Sequence, residues 1–481
     1  MRSAITRRKA LALGAVGAAA AGYAVYQSPW MRPLGANGDV RIGVIGLRNK
    51  GGDHMKDLLD TRGVRVNALC DVDQAMLDRD VEVLKKRNHS AQTFRDIREF
   101  LEKADVDAVV VATPNHWHAL AAIWSMQAGK HVYVEKPVSH TVREGEALVA
   151  AAKNYGVIAQ SGTQYRSEQG MGEAVEWLKA GNLGNLQRVE AVSFHRRKPV
   201  TRRKSPGILP ETLDYDLWCG PAEKETLYRT RVHYDWHWRW NTGNGDLGNM
   251  GVHDLDIARR VLGYPRHPRV IQSIGGRLGF GTDAGETPNT QLTSFQFDSV
   301  PNFPGSEPVM LTHELRNLPM KSGMDAMDHR FGVRAGTVVY CEGGFLAGPV
   351  AYDNNKKKIK KFGDYGGGGH LLNWLKAIVD QSPGSLAAPI EQGHLSSSLC
   401  HFGNISARVG GGPDLELTSP SLEEMKEHLS RNGVDLEQTP LTVGALLERD
   451  GSQFSGVTGE AASRLLTRAY RDGFELPGDL I

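Results

Sequence analysis

The chain has 481 residues, 40% of them apolar, with 57 Lys and Arg against 55 Asp and Glu. A formal charge of +2 lacks the basic excess of a nucleic-acid binder, while the length and apolar content suffice for two packed domains. Four dispersed cysteines, Cys70, Cys219, Cys341 and Cys400, form no C-x-x-C pair, so no disulfide framework is expected.

The first predicted element is a targeting segment, residues 1–36. Thr6-Arg7-Arg8-Lys9 precedes an Ala/Gly-rich apolar run over residues 10–25, the pattern of a twin-arginine export signal. The run is short and weakly hydrophobic for a membrane span, and small residues at Ala21 and Ala24 permit cleavage. An uncleaved anchor is the competing reading. Twin-arginine export carries folded proteins, so the expected partner is that machinery and the expected location periplasmic or otherwise extracytoplasmic.

An apolar strand, Val40-Arg41-Ile42-Gly43-Val44-Ile45, then enters the turn Gly46-Leu47-Arg48-Asn49-Lys50-Gly51, and a helix is predicted over residues 52–59. Strand, glycine turn and helix start together point backbone N–H groups at a pyrophosphate, with the helix dipole favouring its charge. Arg48 stands where the Gly-x-Gly-x-x-Gly pattern asks for its middle glycine, which weakens the match. A second strand, residues 64–70, ends at Asp71, about twenty residues after Gly51, where a carboxylate binds ribose hydroxyls. Asp71 favours NAD over NADP because it would repel a 2′-phosphate; Arg48 offsets part of that repulsion.

A third strand, residues 106–112, runs into Thr113-Pro114-Asn115-His116-Trp117-His118, read as a loop before a helix over residues 119–128. That loop lies on the same sheet edge as Gly46 and Asp71. His116 and His118 have no Cys or acidic partner at zinc spacing, so no metal is expected. The next strand, His131-Val132-Tyr133-Val134, is apolar enough to be buried on both faces and ends in Glu135-Lys136-Pro137. Ligands bind at the carboxyl ends of such strands, which makes Lys136 a candidate catalytic group on a rigid base.

Ala112-Thr113-Pro114-Asn115-His116 followed by Glu135-Lys136-Pro137 resembles the glucose-fructose oxidoreductase, inositol dehydrogenase and MocA family (Gfo/Idh/MocA), over residues 39–412. The resemblance implies an α/β Rossmann domain, residues 37–160, and an α+β domain, residues 161–412, whose open, mostly antiparallel sheet carries the substrate pocket and often an oligomer interface. It implies a cofactor set of Gly46, Arg48, Asn49, Gly51, Asp71, Thr113, Pro114, Asn115, His116, Glu135 and Lys136, with Lys136 also touching substrate.

In the second domain Gln164-Tyr165-Arg166 falls near the expected position of Lys136, so Tyr165 and Arg166 are candidate pocket residues. His195-Arg196-Arg197-Lys198 and Arg202-Arg203-Lys204 form a basic stretch read as a solvated loop, with acidic-sugar recognition the alternative. Trp236, Trp238 and Trp240 alternate with polar residues, which suggests a strand or extended loop; the indoles fit equally a core or the wall of a carbohydrate pocket.

Gly245-Asp246-Leu247-Gly248-Asn249-Met250-Gly251-Val252-His253 then matches the family's second signature, with His253 in the place of its catalytic histidine. Asn249 occupies the place of the usual aspartate; an amide binds a hydroxyl but takes no proton, which leaves proton transfer to Lys136 and His253. On a regular helix Asn249, His253 and Asp256 would share one face. Strand-like segments over residues 189–351 fit an antiparallel sheet, and helices over 370–379 and 395–409 are expected to close the domain. Residues 413–481 form an extension with helical pieces at 422–429 and 461–470 that contacts the body or a neighbouring subunit.

The function implied is an exported NAD-dependent oxidoreductase acting on a hydroxyl of a sugar, polyol or glycoside, with Lys136 taking the hydroxyl proton and the cofactor held without dissociating, since free NAD is scarce outside the cytoplasm. A redox-neutral, NAD-dependent glycoside hydrolase and a non-catalytic sugar-binding protein are the alternatives. A homo-oligomer is expected from the resemblance.

Overall fold

The structure is a computed structural model that describes residues 38–363, 368–411, 420–450, 453–456 and 458–480. The twin-arginine reading of residues 1–36 lies outside the described residues. No helix among the described residues is long and apolar enough to cross a membrane.

The first sheet is parallel and contains β1 (Val40–Ile45), β2 (Val64–Cys70), β3 (Gln92–Phe94), β4 (Ala108–Val111), β5 (His131–Val134) and β6 (Ala159–Ser161), in the order β3-β2-β1-β4-β5-β6. Helices cover both faces, which is why β4 and β5 are buried at every residue and read as unbroken apolar runs. On one face α1 (Lys50–Leu59) and α2 (Gln74–Lys86) supply Met55, Leu58, Leu77 and Leu84 to the core. On the other, α3 (Ile97–Lys103), α4 (Asn115–Gln127) and α5 (Val142–Asn154) supply Phe100, Leu120, Ile123 and Leu148.

Two boundaries differ from the sequence reading. The segment from Asn115 to His118 is the first turn of α4 rather than a loop, with Pro114 at its N-cap. Its aromatic and imidazole side chains are indifferent helix formers, and burial of Asn115, His116, Trp117 and His118 overrides propensity there. The tryptophan-rich stretch is a 3₁₀ turn, Asp235–Trp238, not a strand; the alternation of large and polar side chains comes from a tight turn packed on one side.

The second sheet runs β14 (Lys358–Lys361), β13 (Val350–Asp353), β12 (Gly344–Ala347), β11 (Ala335–Cys341), β7 (Leu186–Phe194), β10 (Val309–Arg316), β9 (Thr290–Phe297), β8 (Val270–Gly276), β16 (Leu447–Asp450) and β17 (Gln453–Ser455). Its centre is β7, β10, β9 and β8; β7 and β10 are parallel and the other pairs antiparallel. Two helices, α6 (Gln169–Lys179) and α7 (Tyr215–Cys219), precede α8 (Val252–Leu262), which lies across the sheet and whose Leu255, Ala258 and Leu262 join Phe295, Leu311 and Val339 in the core.

Two helices bind the sheets together. The helix His370–Asp380 was expected to close the second domain, yet Trp374 and Ile378 pack into the first, Trp374 edge-on to Tyr133 at 5.7 Å. The helix Ile390–Val409 runs between the two, with Gly393 against Ser161 and Val138 and Gly403 against Leu247 and Thr293.

The extension contacts the body at both domains. Strands β15 (Thr442–Val443) and β16 (Leu447–Asp450) pair with β8 and so lengthen the second sheet. The predicted helix over 461–470 ends at Arg464. Beyond it the chain crosses to the first domain, where Phe474, Leu476 and Leu480 are buried beside α4 and α5.

Candidate functional site

A long cleft follows the carboxyl edge of the first sheet and is roofed by the second domain. At the β1–α1 turn, Gly46 has φ +82° and a Cβ there would lie 2.8 Å from the backbone of Ala112 and Thr113. A Cβ on Gly51 would lie 1.8 Å from the Gly46 carbonyl oxygen, so this glycine does not face the cleft but lets α1 pack onto the turn. Together they place the first turn of α1 against the cleft, where its free N–H groups form an anion cradle. Arg48, Asn49 and Lys50 line the same stretch.

Asp71 sits at the end of β2 with one carboxylate oxygen accepting from Leu47 N at 2.8 Å and the other from Asp73 N at 2.9 Å. Burial pushes its pKa up to about 6, against the pull of those two N–H donors. A carboxylate fixed by the backbone and open to the cleft is the group a ribose diol needs. The cradle, the carboxylate and the depth of the cleft fit a dinucleotide.

Further along, Thr113, Pro114, Asn115, Trp117 and His118 line the cleft. His118 reaches Pro137 O at 2.6 Å and Thr113 O at 2.7 Å, tying the α4 turn to the loop that follows Lys136. His116, expected to touch cofactor, points away. Its ring is buried between Trp218 O at 2.9 Å and Thr242 O at 3.3 Å, because the segment holding Trp218 and Thr242 crosses over the start of α4.

The inner end of the cleft joins the two domains. Glu135 is buried and accepts from Gln164 Nε2 at 3.1 Å, while its Oε1 meets His54 Nε2 at 2.8 Å. Burial alone would raise its pKa; the His54 contact and the Lys136 charge reverse this and hold it well below the usual carboxylate range. Lys136 donates to Asn249 O at 2.8 Å and Asn249 Oδ1 at 3.2 Å. Its pKa is lowered by burial, partly countered by Glu135 and Asp246. A capping box between Thr141 and Glu144 at the start of α5 fixes the loop beyond it.

His253 lines the same end of the cleft, on the first turn of α8. Burial, then the Lys136 charge, brings its pKa down to about 3, so the ring is neutral. Its buried Nδ1 has no hydrogen-bond partner among the described residues, and the Tyr165 ring lies 4.9 Å away. The structure thus brings Lys136 and His253 into one site from two domains.

Before α8 the chain makes a π-turn, Leu247–Gly251, which inserts extra backbone and breaks the expected common face. Asn249 therefore meets Lys136 while Asp256 turns away to Arg166, at 2.6 Å through both oxygens. That buried pair, with the Arg166 guanidinium also over Tyr264, corrects Arg166 from substrate ligand to structural ion pair. Tyr165 packs on His253 rather than lining the cleft. Trp236 does line it, whereas Trp238 is 2% exposed and lies in the interior beneath the Arg197 guanidinium.

Several site residues escaped sequence reasoning. Trp218, His233 and His237 line the cleft from the second domain, brought there by a strap that no periodicity marks. Asp246 was passed over as part of a glycine-rich helix entry, although it is fully buried. Arg197, read as part of a solvated stretch, turns inward to pair with it at 2.7 Å; neighbouring Arg196 stays at the surface with Asp325. Arg197 and Asp246 are separated by 49 residues, so no local window pairs them.

Residues 40–163 match the model of an oxidoreductase family with an NAD-binding Rossmann fold (Gfo/Idh/MocA), and residues 198–273 match the family's C-terminal alpha/beta domain. Among curated relatives, glycosyl hydrolase family 109 protein 1 of Shewanella sp. (strain ANA-3) is 35% identical over 163 residues, 32% of this chain and 35% of that protein. An alpha-N-acetylgalactosaminidase of Shewanella oneidensis is 33% identical over the same length, again 32% and 35% of the two chains. The chain thus spans about a third of the length of the curated relatives it matches. Among solved structures, the WlbA dehydrogenase of Bordetella pertussis in complex with NADH and UDP-GlcNAcA superposes with TM-score 0.52 at 18% identity, covering 75% of this chain and 94% of that one. GenD2 from gentamicin A biosynthesis in complex with NAD gives 0.55 at 18%, covering 80% and 96%. At such identities these two show a shared fold.

Proposed function

The chain belongs to the Gfo/Idh/MocA oxidoreductase family, and from that premise we propose that it oxidises a hydroxyl-bearing carbon of a sugar, polyol or glycoside with a retained NAD. The observation that carries this reading is the meeting of Lys136 and His253 at the inner end of a dinucleotide cleft. NAD, when bound, supplies the hydride acceptor. Gly46, Asn49 and the first turn of α1 would hold its pyrophosphate, and Asp71 a ribose diol. The geometry shifts the division of labour from the one first read in the sequence. Lys136 already donates two hydrogen bonds to Asn249, so its remaining N–H polarises the substrate oxygen. His253, kept neutral by burial and by the nearby ammonium, accepts the hydroxyl proton. Trp236 and His237 form the wall on which the sugar ring rests.

Retention of the cofactor is supported by the roof. The strand-like bridge between Asp73 and Leu213, with Gln74 N to Thr212 O at 3.0 Å and His233 Nε2 to Asp73 at 2.9 Å, pins the second domain across the β2 end of the cleft. Export by the twin-arginine route remains our proposal from residues 6–25, and with little free NAD outside the cytoplasm it requires that the reduced cofactor be reoxidised in place.

The likeness to family 109 glycosyl hydrolases favours a second reading in which hydride returns to the same sugar. Transient oxidation of a ring hydroxyl acidifies the adjacent C–H, the aglycone is eliminated, and water adds before reduction. Incubation of aryl glycosides in deuterated water separates the two: elimination and readdition place deuterium at C2 of the released sugar, simple dehydrogenation does not. A screen of sugars, polyols and glycosides followed by absorbance of the bound reduced nicotinamide tests the shared premise. No reduction by any of them, on protein shown by mass analysis to carry NAD, would overturn it.

A further inference from the structure

We propose that Asp246 is a positioning residue that acts on Lys136 through the side-chain amide of Asn249. The amide could turn either end toward the lysine. Its Nδ2 lies 2.9 Å from Asp246 Oδ1, and only the nitrogen end can donate to a carboxylate, so Oδ1 is left facing Lys136 Nζ at 3.2 Å. Asp246 is itself immobile. Arg197 grips both of its oxygens, Nε to Oδ2 at 2.7 Å and Nη2 to Oδ1 at 2.9 Å, and Asn317 Nδ2 reaches Oδ2 at 2.8 Å. Groups from two separate stretches of the second domain thus fix one carboxylate, the carboxylate fixes an amide, and the amide fixes an ammonium carried by the first domain.

The site therefore holds a carboxylate beside its lysine although position 249 is an amide. A second carboxylate at 249 would lie in contact with Asp246, and two such charges cannot both be ionised in a buried site. Asn249 is then matched to Asp246, and its role is corrected from binding a sugar hydroxyl to orienting Lys136. Lys136 also faces Glu135 on its own strand end, Lys50 from α1, Arg197, His237 and His253. Among these groups Asp246 is joined to it by a continuous hydrogen-bonded path through Asn249, with Arg197 at the far end of that path.

The inference rests on the catalytic reading of Lys136, but its test needs neither sugar nor turnover. Acetic anhydride labelling of Lys136 against pH, read by peptide mass with exposed Lys179 as internal reference, is compared in the wild type, D246N, N249A and D246N/N249D. Loss of the charge in D246N should raise Lys136 labelling at a fixed pH below its midpoint about tenfold, the equivalent of one pKa unit. N249A, which keeps the Asp246–Arg197 pair, should move labelling in the same direction, and D246N/N249D should return it to the wild-type value or below. Unchanged labelling in folded D246N, judged by its thermal midpoint, overturns the proposal. If D246N does not fold, unchanged labelling in N249A does so. Failure of the wild type to oxidise any sugar would instead count against the proposed function and leave these shifts intact.

Discussion

At the scale of single residues, the site separates charge states by burial. His253 is brought to about 3, so at neutral pH its imidazole is unprotonated, while Lys136, lowered by burial, is the group that donates to Asn249. Replacement of His253 by Ala should then lower kcat by roughly 10²–10⁴, the usual worth of a general base, with the bound nucleotide unaffected. Lys136→Met should likewise keep nucleotide while losing turnover. Mass analysis of the denatured protein beside single-turnover kinetics checks both, and an active K136M would remove the lysine from the mechanism. Asp71 carries a pH prediction. Its pKa is raised to about 6, so the carboxylate becomes protonated as pH falls through 6, and its preference for accepting two ribose hydroxyls is lost in that window. Nucleotide affinity measured across pH 6 should weaken on the acid side, and Asp71→Asn should flatten that dependence.

At the scale of elements, what was legible in the sequence is what a short window encodes. The runs at Val40–Ile45 and His131–Val134 announced strands buried on both faces, Gly46 and Gly51 announced the turn, and Asp71 announced the end of β2. Lys136 was legible as the end of a buried strand and His253 from the resemblance of its segment to the family's second signature, and both line the cleft. The roles of Arg166, His116 and Trp238 were not legible, since each is decided by a partner at least 90 residues away or by packing of a distant loop. The π-turn at Leu247–Gly251 escaped because a helix of ordinary period is the default, and only its fit against β10 requires otherwise. A Cβ on Gly251 would lie 2.8 Å from His313 Nε2, so close approach of this turn to the sheet depends on glycine. The same logic makes Gly51→Ala informative. With 1.8 Å to a backbone oxygen, the turn or α1 must move, and overpacking of this kind costs about 1–3 kcal/mol. Denaturant unfolding should show that loss, and nucleotide binding should weaken with it because the cradle is displaced; a variant that unfolds earlier yet binds normally would separate packing from binding.

At the scale of the whole molecule, the last residues of the chain secure the roof of the cleft. Arg471 donates to Asp216 O at 3.0 Å and Gly220 O at 3.3 Å and pairs with the Asp216 carboxylate at 2.7 Å, which holds the short helix Tyr215–Cys219 in place. That helix contributes Leu217 and Trp218 to the cleft. Phe474 anchors the same tail on the first domain, 5.6 Å from the Trp117 ring, and Trp117 Nε1 in turn donates to Leu217 O. Tail, roof and α4 therefore form a closed circuit around one end of the dinucleotide site, and its weakest member is the half-exposed ion pair between Arg471 and Asp216. Arg471→Ala removes three contacts from the roof and the guanidinium over the Phe474 ring but leaves the apolar core filled, so it should leave the fold cooperative and the Rossmann cradle intact. Phe474→Ala additionally empties a buried aromatic site, at a cost of about 3–5 kcal/mol. Gel filtration followed by mass analysis should find NAD retained by the wild type, depleted in R471A and absent from R471A/F474A, while added NAD still quenches Trp218 and Trp236 in R471A. Equal retention in all three would place the barrier to cofactor exit elsewhere, in the contacts of Asp73 with Thr212 and His233 that close the opposite side.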